Sequence, residues 1–184
     1  RDDVVMIVCG SAASWMLSKL INARGGLHNR LTRTLRLLPF TLAEVSEFFE
    51  HKKIKLTQRE LCELYMVFGG VPHYLESVSR GRSVAQVVDD GCFSKDGALS
   101  GEFDRLFASL FGDGPKYVAV VRTLAKRRRG FTRNELLHAI GASTGGGASK
   151  ILTNLEEGGF IASSIPLGRT ERDRFFRLTD EFSL

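Results

Sequence analysis

The chain has no stretch that approaches the ~20 consecutive apolar residues needed to cross a bilayer as a helix, which argues against an integral membrane protein. The apolar run Val4–Cys9 near its start is too short for a secretory leader and follows two acids, Asp2 and Asp3. Residue 1 is Arg rather than Met, as expected of a piece of a longer protein. Cysteine is scarce: Cys9, Cys62 and Cys92 are odd in number, widely spaced and set among apolar neighbours. That pattern excludes a disulfide framework and offers no ligand pair for zinc, so buried, reduced thiols in a cytoplasmic protein are expected. The four histidines, His28, His51, His73 and His138, form no metal-binding pair either. Also missing is any run of the form G-x-x-x-x-G-K-[ST], whose amides and lysine would cradle a triphosphate. Gly145-Gly146-Gly147 leads to Lys150 with the wrong spacing and follows no strand, so it is expected to be a turn.

What is present is ordinary in amount and uneven in placement. Apolar residues at 43% and charged residues at 26% suit a globular chain of one large or two small domains. Residues 1–114 hold 14 basic and 14 acidic side chains, whereas residues 115–184 hold 12 basic and 7 acidic. The whole net charge of +5 therefore sits in the last 70 residues, and a basic module attracts phosphate backbones.

Hydrophobic periodicity divides the chain into three parts. Val4–Cys9 and Leu35–Leu38 read as short strands, the first buried on both faces, with a helix from Ala12 to about Ile21 between them. Two such strands cannot make a stable sheet alone, so a covering part is missing. From Thr41 the period becomes helical. Thr41…Glu44 and Thr57…Glu60 fit capping boxes, and Val45, Phe48 and Phe49, then Leu61, Leu64, Tyr65 and Phe68, mark apolar faces. Gly69-Gly70 stops one helix and Pro72 starts the next. Ser83 can cap a short helix, and Leu99, Phe103, Leu106, Phe107 and Leu110 define a last one. Gly112-Asp-Gly-Pro115 is the clearest linker. Beyond it come a helix with Val118, Val121 and Leu124 inward, a helix capped by Thr132 and Glu135, and a helix carrying Ile151, Leu152 and Leu155. Two strand-like segments follow, Phe160–Ile165 and Arg174–Leu178. Helix, helix, helix, hairpin with a basic loop is the winged-helix order.

Several motifs in series carry a resemblance that runs the length of the chain. They are Ile7-Val-Cys-Gly-Ser-Ala-Ala-Ser-Trp15, Gly25-Gly-Leu-His-Asn-Arg30, Leu38-Pro-Phe-Thr-Leu-Ala-Glu44, Tyr65-Met-Val-Phe-Gly-Gly-Val-Pro-His-Tyr-Leu75 and Arg177-Leu-Thr-Asp-Glu-Phe182. In this order they resemble a prokaryotic family of AAA-type, STAND-related, archaeal-type ATPases with a C-terminal winged helix. The resemblance implies that Walker A and Walker B segments precede the first motif and a further domain follows the last. It gives a mainly α fold with minor β: residues 1–40 as the C-terminal remnant of a P-loop α/β ATPase core, 41–112 as a helical lid, and 113–184 as a winged helix. ATP and Mg would belong to the full-length parent and not to this chain, which should not hydrolyse ATP alone. Its partners would be the missing ATPase half, the downstream domain, DNA contacted without sequence preference, and a second copy through the orphaned strand.

The same resemblance suggests individual roles, each beside a plainer one. Ser11 is a sensor near the γ-phosphate or a helix cap. Arg30 is an arginine finger or a surface cation. Gly70 and Pro72 lie against adenine, or Pro72 merely starts a helix. In the basic module, Lys126, Arg127, Arg128 and Arg129, with Lys150 and the loop residues Arg169, Arg172 and Arg174, suit phosphate contacts. The third helix offers Ser149, Lys150, Thr153 and Asn154 outward, poor equipment for reading bases. The alternatives are docking on another domain of the parent, or a stand-alone DNA-binding regulator.

Overall fold

The fold follows from how each helix is started. In the computed structural model, which describes residues 5–10, 32–142 and 146–183, Thr41 and Glu44 exchange hydrogen bonds across the first turn of α1 (Leu42–His51). Thr57 and Glu60 do the same for α2 (Gln58–Phe68), and Ser83 with Gln86 for α4 (Val84–Val88). Each box satisfies amides that a helix start otherwise leaves without partners. Pro72 opens the single turn α3 (Pro72–Leu75), where its missing N–H costs nothing. A π-helical turn, Asp89–Phe93, continues α4. These helices close over one core that contains Val45, Phe49, Leu64, Phe68, Leu75 and Leu99.

A second core gathers α5 (Glu102–Leu110), α6 (Gly114–Ala125), β1 (Phe131–Thr132), α7 (Arg133–Ala139), α8 (Gly146–Glu157), β2 (Ile161–Ser164) and β3 (Phe175–Leu178). Thr132 and Glu135 cap α7. The strands form an antiparallel sheet in the order β1-β3-β2, with Phe131 opposite Phe176 and Ser164 opposite Phe175. Phe107 lies at the heart of this core, fully buried, with its ring 4.9 Å from Phe103 and 4.9 Å from Phe160. The protein is thus mainly helical with one small antiparallel sheet. Among the described residues no helix is long and apolar enough to cross a membrane.

Several expectations need correcting. Val5–Cys9 and Leu35–Leu38 form no strands, and Val5, Ile7 and Leu37 are 84–85% exposed. A strand needs a ladder partner, and the described chain supplies none for these segments. The helix expected over 12–21 lies outside the described residues, as does Gly145. Gly146 and Gly147 begin α8 instead of forming a turn before it. Cys9 and Cys62 are exposed and Cys92 only half-buried, so the thiols are not the core residues their apolar neighbours implied. The largest change concerns α5. It was expected in the helical lid, yet Phe107 and Phe111 are in the second core, with Phe103, Leu106 and Leu110 packed against it. The cores part between Leu99 and Phe103. Gly112–Pro115 is a tight corner inside the second unit, because Gly114 lies so close to Ala108 that a Cβ would sit 3.3 Å from its backbone.

Candidate functional site

Three motif segments far apart in sequence meet at Gly69-Gly70. Gly69 ends α2 with φ 59°, ψ −155°, a conformation reserved for glycine. A Cβ there would come within 2.9 Å of Glu181 Oε2. Gly70 is tighter still: the Phe40 N–H donates to its carbonyl at 2.8 Å, and a Cβ would land 1.8 Å from the Phe40 carbonyl oxygen. The Tyr65 hydroxyl donates to that same oxygen at 3.2 Å. From the other side, the Phe182 ring lies 4.4 Å from Tyr74. The segments 38–44, 65–75 and 177–182 thereby form one seam.

The seam is acidic. Burial pushes the Tyr74 hydroxyl up to about 12, reinforced by the nearby Glu102 and Asp180. Burial also raises Tyr65, with Glu181 and Glu44 adding to it. The Asp180 carboxyl is raised chiefly by burial, although the Ser183 N–H, which donates to it at 2.9 Å, pulls the other way. Of the two residues expected beside adenine, Pro72 is exposed at the first position of α3, while Gly70 is buried beneath the Phe40 backbone. Gly70 is therefore a packing glycine. Ser11 and Arg30 lie outside the described residues. Among the described residues no cluster of His, Cys, Asp and Glu could hold a metal ion.

The candidate cations do not form one patch. Gly130 sits beside the Phe176 carbonyl and Arg177, which places the turn Lys126–Arg129 toward the Leu178 end of β3. The loop carrying Arg169 and Arg172 joins the other end, beyond Ser164 and Phe175. Four residues of strand, roughly 10 Å, separate the two groups. At the loop end, the Arg133 guanidinium donates to Ser149 Oγ at 3.1 Å, which brings the starts of α7 and α8, and with them Lys150, to the same side.

Their availability also differs. Lys126, Arg128, Arg129, Lys150, Arg169 and Arg172 are exposed. Arg127 is engaged: it donates to the Gly130 carbonyl at 2.7 Å and to Glu135 at 2.9 Å, and its guanidinium lies 3.9 Å from the Phe131 ring centroid. The Thr132 backbone N–H first, and then Arg127, draw the Glu135 carboxyl down to about 2. Arg174 pairs with Glu171 at 2.6 Å and donates to Ser163 at 3.1 Å. Both arginines hold the fold, which leaves little of either for a phosphate. Asn154, expected to face outward, turns in and donates to the Tyr117 hydroxyl at 2.7 Å. Sequence reasoning overlooked Arg133 and Tyr117, and also Arg36, whose guanidinium donates to the Glu157 carbonyl at the end of α8 at 2.7 Å. No local sequence pattern marks such long-range partners.

No family model matches the chain, and no solved structure matches it. It is similar to an uncharacterized protein of Methanocaldococcus jannaschii, 26% identical over 169 residues that make up 92% of this chain. The chain spans 36% of the length of that relative.

Proposed function

We propose that the chain is the regulatory part of a cytoplasmic AAA-type ATPase, a helical lid followed by a winged helix, which relays the nucleotide state of the parent to a partner. What carries this reading is the meeting of segments 38–44, 65–75 and 177–182 at Gly69-Gly70. Three of the five motifs on which the resemblance rests are packed on one another, as a mechanical junction would require. The order helix, strand, helix, helix, strand, strand with an antiparallel β1-β3-β2 sheet supports the winged-helix part. In this reading ATP and Mg bind the parent, with Ser11 and Arg30 near the phosphates and Pro72 near adenine. This chain has no phosphate cradle and turns over no ATP.

A second reading, contact with duplex phosphate, is favoured by the exposed Lys150, Arg169 and Arg172 at one end of the sheet. The inward turn of Asn154 argues against a sequence-reading regulator, because it removes a base-reading side chain from the outer face of α8. Two measurements test the proposal. Calorimetric titration with Mg-ATP should detect no binding tighter than about millimolar, and selection from random duplexes should enrich no single sequence. Micromolar ATP binding would overturn the missing cradle, and one enriched operator would install the stand-alone regulator instead.

A further inference from the structure

The two cores are joined covalently by the crossing Leu99–Phe103, which contains Gly101 in a left-handed conformation at φ 72°. A second, noncovalent bridge lies just past β3. The N–H groups of Thr179 and Asp180 both donate to the Phe160 carbonyl, at 3.0 and 3.3 Å, and the Thr179 hydroxyl donates to the Gly159 carbonyl at 3.2 Å. Those bonds tie the segment to the second unit. The next residues grip the first: Phe182 packs against its core and lies 4.4 Å from Tyr74, while Glu181 fills the space above the bare Cα of Gly69.

We propose that Thr179–Ser183 is a clasp that makes the two units one body, held by the Phe182–Tyr74 contact against the cost of keeping two adjacent acids, Asp180 and Glu181, at the seam. The titratable groups around it are Tyr65 from α2, which lies near both Glu181 and Glu44 of α1, and Tyr74 from α3, which lies near both Asp180 and Glu102 of α5 and has the His73 ring tilted beside it at 5.8 Å. Among them Glu102 has a cation, Arg105 at 3.3 Å. Neither Asp180 nor Glu181 has an ion pair among those of the described residues. Half-buried and next to Glu181, the Asp180 carboxyl favours its neutral form. A carboxyl raised on folding contributes a hold that is complete below its ordinary value near 3.8 and is lost as pH rises through the raised value. The clasp is therefore tighter in acid and looser in base. Opening would leave the units tethered through Gly101, free to reorient. No nucleotide or partner is assumed, so failure of the clasp leaves the ATP and duplex tests of the ATPase reading untouched.

Calorimetry of the full chain at about pH 3.5, below the ordinary value of Asp180, and at about pH 8, with amide exchange followed by mass spectrometry in each unit, tests this. The wild type should melt in one transition at about pH 3.5. Phe182→Ala should split it into two, separated by roughly 5 °C or more, with exchange rising around Gly69–Tyr74 and Gly159–Phe160. Asp180→Asn, which removes the charge and keeps the size, should hold one transition and raise its midpoint at pH 8 relative to the wild type. Independent melting of the units in the wild type at about pH 3.5 would overturn the clasp. So would a Phe182→Ala chain with one unshifted transition, or an Asp180→Asn chain that follows the wild-type pH dependence. Should Phe182→Ala not fold, the Asp180→Asn result decides alone.

Discussion

The two units are built by different means and carry different charge. Residues 42–99 are short helices alone, three of them started by capping boxes, with nine acids against seven cations. Residues 102–178 wrap helices around a sheet, draw on rings from Phe103 to Phe176, and carry thirteen cations against eight acids. The first unit supplies the glycine seam, which depends on backbones approaching closely. The second supplies the exposed cations, which depend on long side chains remaining unpaired. Shape is concentrated in one half and charge in the other, which suits a relay in which one end is held mechanically and the other attracts phosphate.

The strongest way to break that division is at α5. Phe107 is fully buried, so Phe107→Ala removes a large side chain from a closed core and should cost about 3–5 kcal/mol. If α5 belongs to the second unit, amide exchange should accelerate in α6 and β3 ahead of α1 and α2. The reverse order would return α5 to the first unit.

The seam gives the next largest effect. At Gly70 the Phe40 backbone leaves no room for a methyl group, and backbone cannot rotate away as a side chain could. Gly70→Ala should cost about 1–3 kcal/mol by urea unfolding and expose Tyr65, whose hydroxyl bond to Phe40 would be lost. An unchanged midpoint would mean that the 38–44 segment is not anchored there.

A smaller effect separates structural from available cations. Arg127→Ala should destabilise by about 1–2 kcal/mol, through the lost bond to the Gly130 carbonyl and the lost packing on Phe131, whereas Arg128→Ala should change stability little. Glu135, drawn down to about 2, adds stability that is present above its ordinary value near 4.5 and lost as pH falls toward 2. Glu135→Gln should flatten the acid limb of the stability profile in that window. A wild-type acid limb in the variant would show that other carboxylates set it.

What was legible in the sequence was local. Thr41, Thr57 and Thr132 announced their helices because a capping box needs residues only three apart. The hairpin was readable as two strand-like segments joined by a charged loop, and its ends shifted by a residue or so. The α5 boundary was not, since Gly112-Asp-Gly-Pro115 has linker composition and only packing reveals it as a corner. Val5–Cys9 has the composition of a buried strand, but a strand is a property of its neighbours as well as of itself. Among the candidate cations, the run Lys126–Arg129 looked uniform. Phe131, Glu135 and the Gly130 carbonyl single out Arg127, and two of those three lie in elements that the run itself does not specify.

The smallest expected effect is on duplex binding, and it bears on the charged half of the comparison. If phosphates are contacted, the exposed loop-end cations Arg169 and Arg172 act together with Lys150, while Arg128 and Arg129 lie at the other end of β3. Replacing Arg169 and Arg172 with Ala should weaken binding several-fold at low salt and reduce the slope of log K against log salt by up to ~2, one unit per phosphate released. The Arg128→Ala, Arg129→Ala pair should do less, because it lies at the opposite end of β3 from Lys150, Arg169 and Arg172. Asn154→Ala should leave binding unchanged while lowering stability, since its amide serves Tyr117 rather than a base. Fluorescence anisotropy with a short random duplex, repeated across a salt series, distinguishes these cases. Equal losses from both pairs would mean that the register does not divide the basic surface in function. No binding at the lowest salt would assign the exposed cations to an acidic protein surface, and the second unit would then be a docking module.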